Sequence, residues 1–297
     1  MKMKLIPMHS YTGDTDDLER DNFIFEPKLD GIRALCIVSL KTMRFVSRSG
    51  LSLTATYPEF DFRKQIKAKT CVLDGEIVVF DKKGNPDFNL LQNKKNSHAL
   101  ATYVVFDILN KNGVSLLEQP LEKRKKIIAK TIIEGNNLET IAYTTNGRKL
   151  WSEVKKHHLE GVMAKCATSS YHPGIRSHDW LKIKITHTLD CIIVGYTQEK
   201  RAISSLALGI YKDKKLIFIG KVGTGFNQAS IKELYEKLSK IKRQTPPVIN
   251  PEEHIIWTSP RFVCEVECLM ITKDNKLRAP VFIRLRTDKK PQECREE

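Results

Sequence analysis

No C-x-x-C pair occurs in the chain, and its seven cysteines are scattered. That argues against a zinc ribbon and against the disulfide framework of a secreted domain. Cys264 and Cys268 share one face of an apparent strand and read as small core residues rather than metal ligands. No long apolar run and no lipidation signal support a membrane association. Met1 to Tyr11 carries lysines but no apolar signal-peptide core, so the cytoplasm is the expected compartment. Acidic residues are in deficit as well: 35 Asp and Glu against 50 Lys and Arg leave a formal charge of +15. Such a surface favours a polyanion, nucleic acid first, with binding that weakens steeply in salt. No internal repeat is visible. At 297 residues and 41% hydrophobic, the chain can hold two domains with ordinary cores.

The densest chemistry is in Lys28-Leu29-Asp30-Gly31-Ile32-Arg33, a lysine beside a tight turn and a second cation. A lysine amine attacks phosphorus only when deprotonated, which nearby cations or a metal promote; Arg33 or bound Mg²⁺ would serve. Alone, the hexapeptide also fits a solvated turn entering a strand. Residues 23–40 alternate as strands do, and 45–50 read as a strand closing into a turn, followed by a basic helix. Residues 71–80 form an apolar run broken only at Asp74-Gly75-Glu76, so a carboxylate sits on a buried strand and needs a partner such as a metal or a ribose. Residues 103–109 are another buried strand, on which Phe106 is a core aromatic or a stacking surface for a purine. Helical spacing covers 121–134 and 148–158.

In Trp180-Leu181-Lys182-Ile183-Lys184-Ile185 the period of two places both lysines on one face. Adjacent ammonium groups repel unless an anion lies between them, so a phosphate suits that face, as does plain solvent exposure. A polar segment at 186–188 marks the domain boundary, giving domains 1–186 and 187–297. Beyond it, strands are expected at 190–196, 205–211, 214–222, 262–270 and 281–285. A helix capped by Asn227 should reach about Ile241. This is the pattern of a small β-barrel, for which an OB-fold is the natural choice. Arg284 and Arg286 share a face of the last strand, and 290–297 read as a disordered tail.

In order, these motifs resemble those of the covalent nucleotidyltransferase superfamily, and most closely ATP-dependent DNA ligases. KLDGIR (28–33), SRSG (47–50), DGE (74–76), the strand 103–109, EGVMAK (160–165), WLKIK (180–184) and RLRTDK (284–289) follow the family's sequence of motifs. GKVGTGF (220–226) and the ending LRAPVFIRLRTDK resemble the ligase domain of prokaryotic non-homologous end-joining enzymes. The resemblance implies an α+β fold, an adenylyltransferase domain of antiparallel sheets and helices followed by an OB-fold barrel. Polymerase, nuclease and added DNA-binding domains have no counterpart here, so a freestanding, monomeric catalytic core is expected. The short 198–205 segment leaves little room for the DNA-clasping insert of some minimal viral ligases.

The resemblance implies three displacements at phosphorus: Lys28 takes AMP from ATP, AMP passes to a DNA 5′-phosphate, and a 3′-hydroxyl then seals the strand. By family position, Glu26 accepts from the adenine amino group, Phe106 stacks on the ring, and Arg33 reaches the ribose or a nick phosphate. Arg48 holds the ribose or the 5′-phosphate. Glu76 and Glu160 engage the ribose and a divalent metal, Mg²⁺ or Mn²⁺. Lys182 and Lys184 bracket the AMP phosphate. Arg286, Asp288 and Lys289 reach the pyrophosphate once the barrel closes. Nicked or broken DNA is the implied substrate, with a Ku-like end-binding protein and a repair polymerase as partners. An RNA ligase, a GTP-dependent capping enzyme and an inactive nucleic-acid-binding barrel are the competing readings; Glu26, the intact motifs and the RLRTDK ending favour a DNA ligase. NAD⁺-dependent ligases carry a four-cysteine zinc site that is absent from this sequence.

Overall fold

Two-residue alternation organises the first half of the chain. In the computed structural model, which describes residues 6–93, 99–135, 137–199, 201–272 and 274–295, this half forms two sheets. Strands Met43–Ser47, Ile32–Val38, Cys71–Val79, Ala101–Lys111 and Val114–Ser115 pair in that order, and Leu138–Thr140 joins Ala101–Lys111 in parallel. Ala34, Cys36, Ile77, Val79, Tyr103 and Val105 face one core with Phe45, Phe60 and Phe62. The intervening Leu35, Val78, Val104 and Phe106 face a second core with Met8, Tyr171 and Trp180. A sheet covered on both faces has near-continuous apolar strands, so any charge on it stands out.

The other sheet runs His9–Thr12, Arg176–Lys184, Gly161–Cys166, Phe23–Pro27. Leu181 and Ile183 point to the side covered by helix Gly147–Lys156, through its Val154. Trp180 packs on the opposite side, toward the larger sheet. Lys182 and Lys184, in phase with Trp180, therefore enter the space between the two sheets. The alternating 23–40 segment resolves into one strand in each sheet, and the chain crosses over at Lys28–Gly31. A Cβ at Gly31 would lie 2.3 Å from the Ile77 carbonyl oxygen, so this close crossing needs glycine.

The chain divides into two units, Met1–Ile185 and Thr186–Glu297. The second unit pairs Lys215–Val222, Ser205–Lys212, His187–Thr197, Ile256–Cys268 and Val281–Arg286 in that order, all antiparallel. A bond from Phe282 N–H to the Thr224 carbonyl ties the two edges together. Asn227 caps helix Gln228–Leu238, whose Leu234 and Leu238 enter the core; a 3₁₀ turn then runs to Ile241. Cys264 and Cys268 are buried.

Three expectations need correction. The basic helix before Cys71 is only a 3₁₀ turn, Arg63–Gln65, because buried Tyr57, Phe60, Phe62 and Ile66 anchor the backbone and Asp61 forks onto Arg63. Helix Leu121–Thr131 stops short of Glu134 because Ile132 leaves it to bridge Ile66. The tail is ordered through Arg295: Cys294 is 2% exposed and its carbonyl accepts from Tyr211 N–H at 2.8 Å. Residues 296–297 lie outside the described residues. Among the described residues no helix is long and apolar enough to cross a membrane.

Candidate active site

A cleft of about 320 Å³ opens in the first unit, and Lys28 lines it where the chain passes between the sheets. Lys28 N–H bonds to the Gly161 carbonyl at 2.9 Å. Its Nζ donates to Glu160 Oε2 at 2.6 Å, and Lys184 Nζ stands 3.6 Å from Glu160 Oε1. Gly161 makes this approach possible: its φ is +151°, and a Cβ there would sit 2.1 Å from the Ile183 carbonyl oxygen.

Arg33, expected as a second cation that promotes loss of the Lys28 proton, makes its hydrogen bonds away from the lysine. Its Nε and NH2 fork onto Asp74 at 3.1 and 2.7 Å, and its NH1 reaches the Met8 carbonyl at 2.7 Å. Tyr171 donates to the same carboxylate at 2.6 Å. Asp74 thus has its partner on the protein, and the expectation of a metal or ribose for the carboxylate in this strand passes to Glu76. Burial works against the Arg33 charge, but the Asp74 carboxylate more than compensates and holds its pKa above the ordinary arginine value.

Glu26 lies at the cleft floor, 1% exposed, between two ammonium groups: Lys125, and Lys165 at 2.6 Å. Burial would raise its pKa, yet the two lysines hold it below the usual carboxylate range. One carboxylate cannot fully compensate two cations. Burial, with repulsion from Lys125, pushes Lys165 down to about 8 despite its contact with Glu26. Lys165 Nζ also sits 4.2 Å from the Phe106 ring centroid and 4.1 Å from that of Trp180, an arrangement that orders both rings.

Glu76, Arg48, Phe106, Lys182 and Lys184 line the same cleft. Burial pushes Glu76 up to about 8 against the pull of Arg33 and Lys28. Lys182 is lowered by burial and then by repulsion from Lys184, Arg176, Lys28 and Arg48. Glu160 reaches this group through its contacts with Lys28 and Lys184. Arg286, Asp288 and Lys289 belong to the second unit, where Arg286 Nε and NH2 fork onto Asp288 at 2.9 and 2.7 Å.

Sequence reasoning did not single out Lys125, Lys165, Tyr171, His9 or Arg176. EGVMAK contains Lys165, but no local signal marks it as the partner of Glu26. His9 and Arg176 line the cleft from paired strands. Burial, followed by Arg48, Arg33 and Arg176, lowers the His9 pKa and favours the neutral ring.

Two protein-family profiles cover most of the chain: the ATP dependent DNA ligase domain matches residues 3–184, and the ATP dependent DNA ligase C terminal region matches 199–289. The chain belongs to the ATP-dependent DNA ligase family. It is 32% identical to the multifunctional non-homologous end joining protein LigD of Mycolicibacterium smegmatis over 97% of its own length and 39% of that protein. It is also 32% identical to the Pseudomonas aeruginosa LigD over 92% of its length and 34% of that protein. This ligase-family chain therefore spans little more than a third of those relatives. A solved mycobacterial DNA ligase D complexed with ATP and MES superposes with a TM-score of 0.59 at 30% identity, covering 100% of both chains. The two units are accordingly the nucleotidyltransferase domain and the C-terminal OB-fold domain of ATP-dependent ligases.

Proposed function

We propose that this chain seals 5′-phosphate/3′-hydroxyl breaks in DNA, using ATP and carrying AMP on Lys28. One observation carries the reading: Lys28 lies in a cleft with an aromatic wall, Phe106 and Trp180, and a cationic side, Arg48, Lys182 and Lys184. A purine fits the first and phosphates the second.

Glu160, 2.6 Å from Lys28 Nζ, is placed to hold the proton that must leave before attack. The free amine then forms an N–P bond to the α-phosphorus, and the bond from that phosphorus to the pyrophosphate oxygen breaks. Lys182 and Lys184 balance charge on the oxygens around the α-phosphorus. In the second step a 5′-phosphate oxygen displaces Lys28 from that phosphorus. In the third the 3′-hydroxyl attacks the DNA phosphorus, loses its proton, and AMP departs.

Glu26, locked between two lysines, accepts from the adenine amino group with whatever acceptor capacity its oxygens retain, while Phe106 stacks on the ring. Arg33 reaches the ribose or a nick phosphate by yielding part of its fork on Asp74, and Arg48 holds the ribose or the 5′-phosphate. Arg286, Asp288 and Lys289 serve the leaving pyrophosphate. Among the described residues no three His, Cys, Asp or Glu gather into a metal cage. Glu76 and Glu160 are the residues that would hold a Mg²⁺ or Mn²⁺ ion. Bound there, the ion would neutralise phosphate charge.

The excess of basic residues suits a DNA backbone, and similarity to the non-homologous end joining protein LigD favours a role in end joining. A cytoplasmic location, a Ku-like end-binding protein and a repair polymerase as partners belong to the same proposal. The test is sealing of a 5′-phosphorylated nicked duplex with Mg²⁺ or Mn²⁺, after pyrophosphate has stripped bound AMP. Sealing with ATP and not with GTP or NAD⁺ is expected. Failure with every nucleotide would remove DNA sealing as the function.

A further inference from the structure

Asp190 lies on strand His187–Thr197 of the OB-fold unit, and no motif of the family reading includes it. Its Oδ1 accepts from Arg286 NH1 at 2.9 Å, and its Oδ2 accepts from Lys289 Nζ. To make this contact Arg286, on strand Val281–Arg286, reaches across the intervening strand Ile256–Cys268. The Asp190 and Arg286 side chains are 16% and 14% exposed, whereas Asp288 is 63% exposed.

We propose that Asp190 is a positioning residue, which joins Arg286 and Lys289 into one two-cation fork for the pyrophosphate end of ATP. The inference rests on the pyrophosphate role given to those two cations above. A guanidinium and an ammonium side by side repel, and a carboxylate with one oxygen on each holds them together. The fork remains able to bind. Arg286 spends three of its five N–H donors on Asp190 and Asp288, and Lys289 spends one of three on Asp190. An incoming pyrophosphate can therefore take the remaining donors without displacing Asp190. The water-exposed Asp288 is the partner that yields most readily.

Asp190→Asn keeps the shape but removes the charge that bridges both cations. The experiment measures the half-saturating pyrophosphate for conversion of the lysyl-AMP of the adenylylated full chain into ATP, the reverse of the first step. A rise of about tenfold is expected, the equivalent of one charge-assisted hydrogen bond. Asp190→Glu should recover most of that affinity, and Asp190→Asn should add little in an Arg286→Ala background, because both changes disable one fork. Sealing of a pre-adenylylated nick, which neither consumes nor releases free pyrophosphate, is the parallel readout. An unchanged or lower half-saturation in Asp190→Asn overturns the inference, as do an equal loss of nick sealing and an Asp190→Glu chain no better than Asp190→Asn. If Arg286→Ala itself leaves pyrophosphate use intact, the parent reading of Arg286 fails instead.

Discussion

The two units use ion pairs differently. In the first, Arg124 and Asp107 are both 0% exposed, and Glu26 with Lys165 is nearly so. In the second, Arg286 also meets Asp288, whose carboxylate is 63% exposed to water. A buried pair cannot be opened cheaply, because the partner left behind has no solvent. An exposed pair can exchange one anion for another at little cost. Rigid pairs therefore suit the wall that shapes a nucleotide site, and exchangeable pairs suit cations that receive and release pyrophosphate. The Lys28–Glu160 pair, with side chains 19% and 11% exposed, lies between these extremes, as suits the nucleophile role proposed for Lys28, which requires loss of its proton.

That contrast can be broken at several strengths. The largest effect is expected at Lys28→Ala, which should abolish AMP labelling while leaving stability nearly unchanged and sparing the sealing of a pre-adenylylated nick. Labelling and thermal melts check it. Arg124→Met strands Asp107 and should destabilise the first unit by about 3–5 kcal/mol in denaturant unfolding. Adding Asp107→Leu should recover much of that loss; if it does not, the pair contributes more than mutual compensation.

Titration gives a finer test. Below about 8 the Glu76 carboxyl carries a proton that a divalent ion must displace, and above it the carboxylate is free. The half-saturating Mg²⁺ for self-adenylylation should therefore fall by up to about tenfold per pH unit between 6 and 8, then level off. A pH-independent half-saturation would remove Glu76 from the metal site. The smallest effect is expected at Arg284→Ala: its pair with Glu265 is 62% exposed on the arginine side, and unfolding should shift by less than about 1 kcal/mol.

Local pattern reveals some of this site and not the rest. Lys182 and Lys184 are legible because a period of two assigns them to one face, and Glu76 because a carboxylate interrupts an apolar strand. Lys28 stands out through its motif, and the crossing between sheets then places it. Glu26 and Lys125 are 99 positions apart, and Asp190 and Arg286 are 96 apart, so no window of sequence contains either pair. The commitment of Arg33 to Asp74 was hidden for the same reason, at a separation of 41. The ordered tail escaped notice because its anchor is one small residue, Cys294, in an otherwise polar run.

The central claim is that Lys28 accepts AMP. Incubating the purified chain with ATP and a divalent ion, digesting it, and locating the AMP by mass spectrometry tests that most directly. An adduct on the peptide containing Lys28, removed by added pyrophosphate, is the expected result. An adduct on another residue, or none with any divalent ion tried on AMP-stripped protein, would contradict the account.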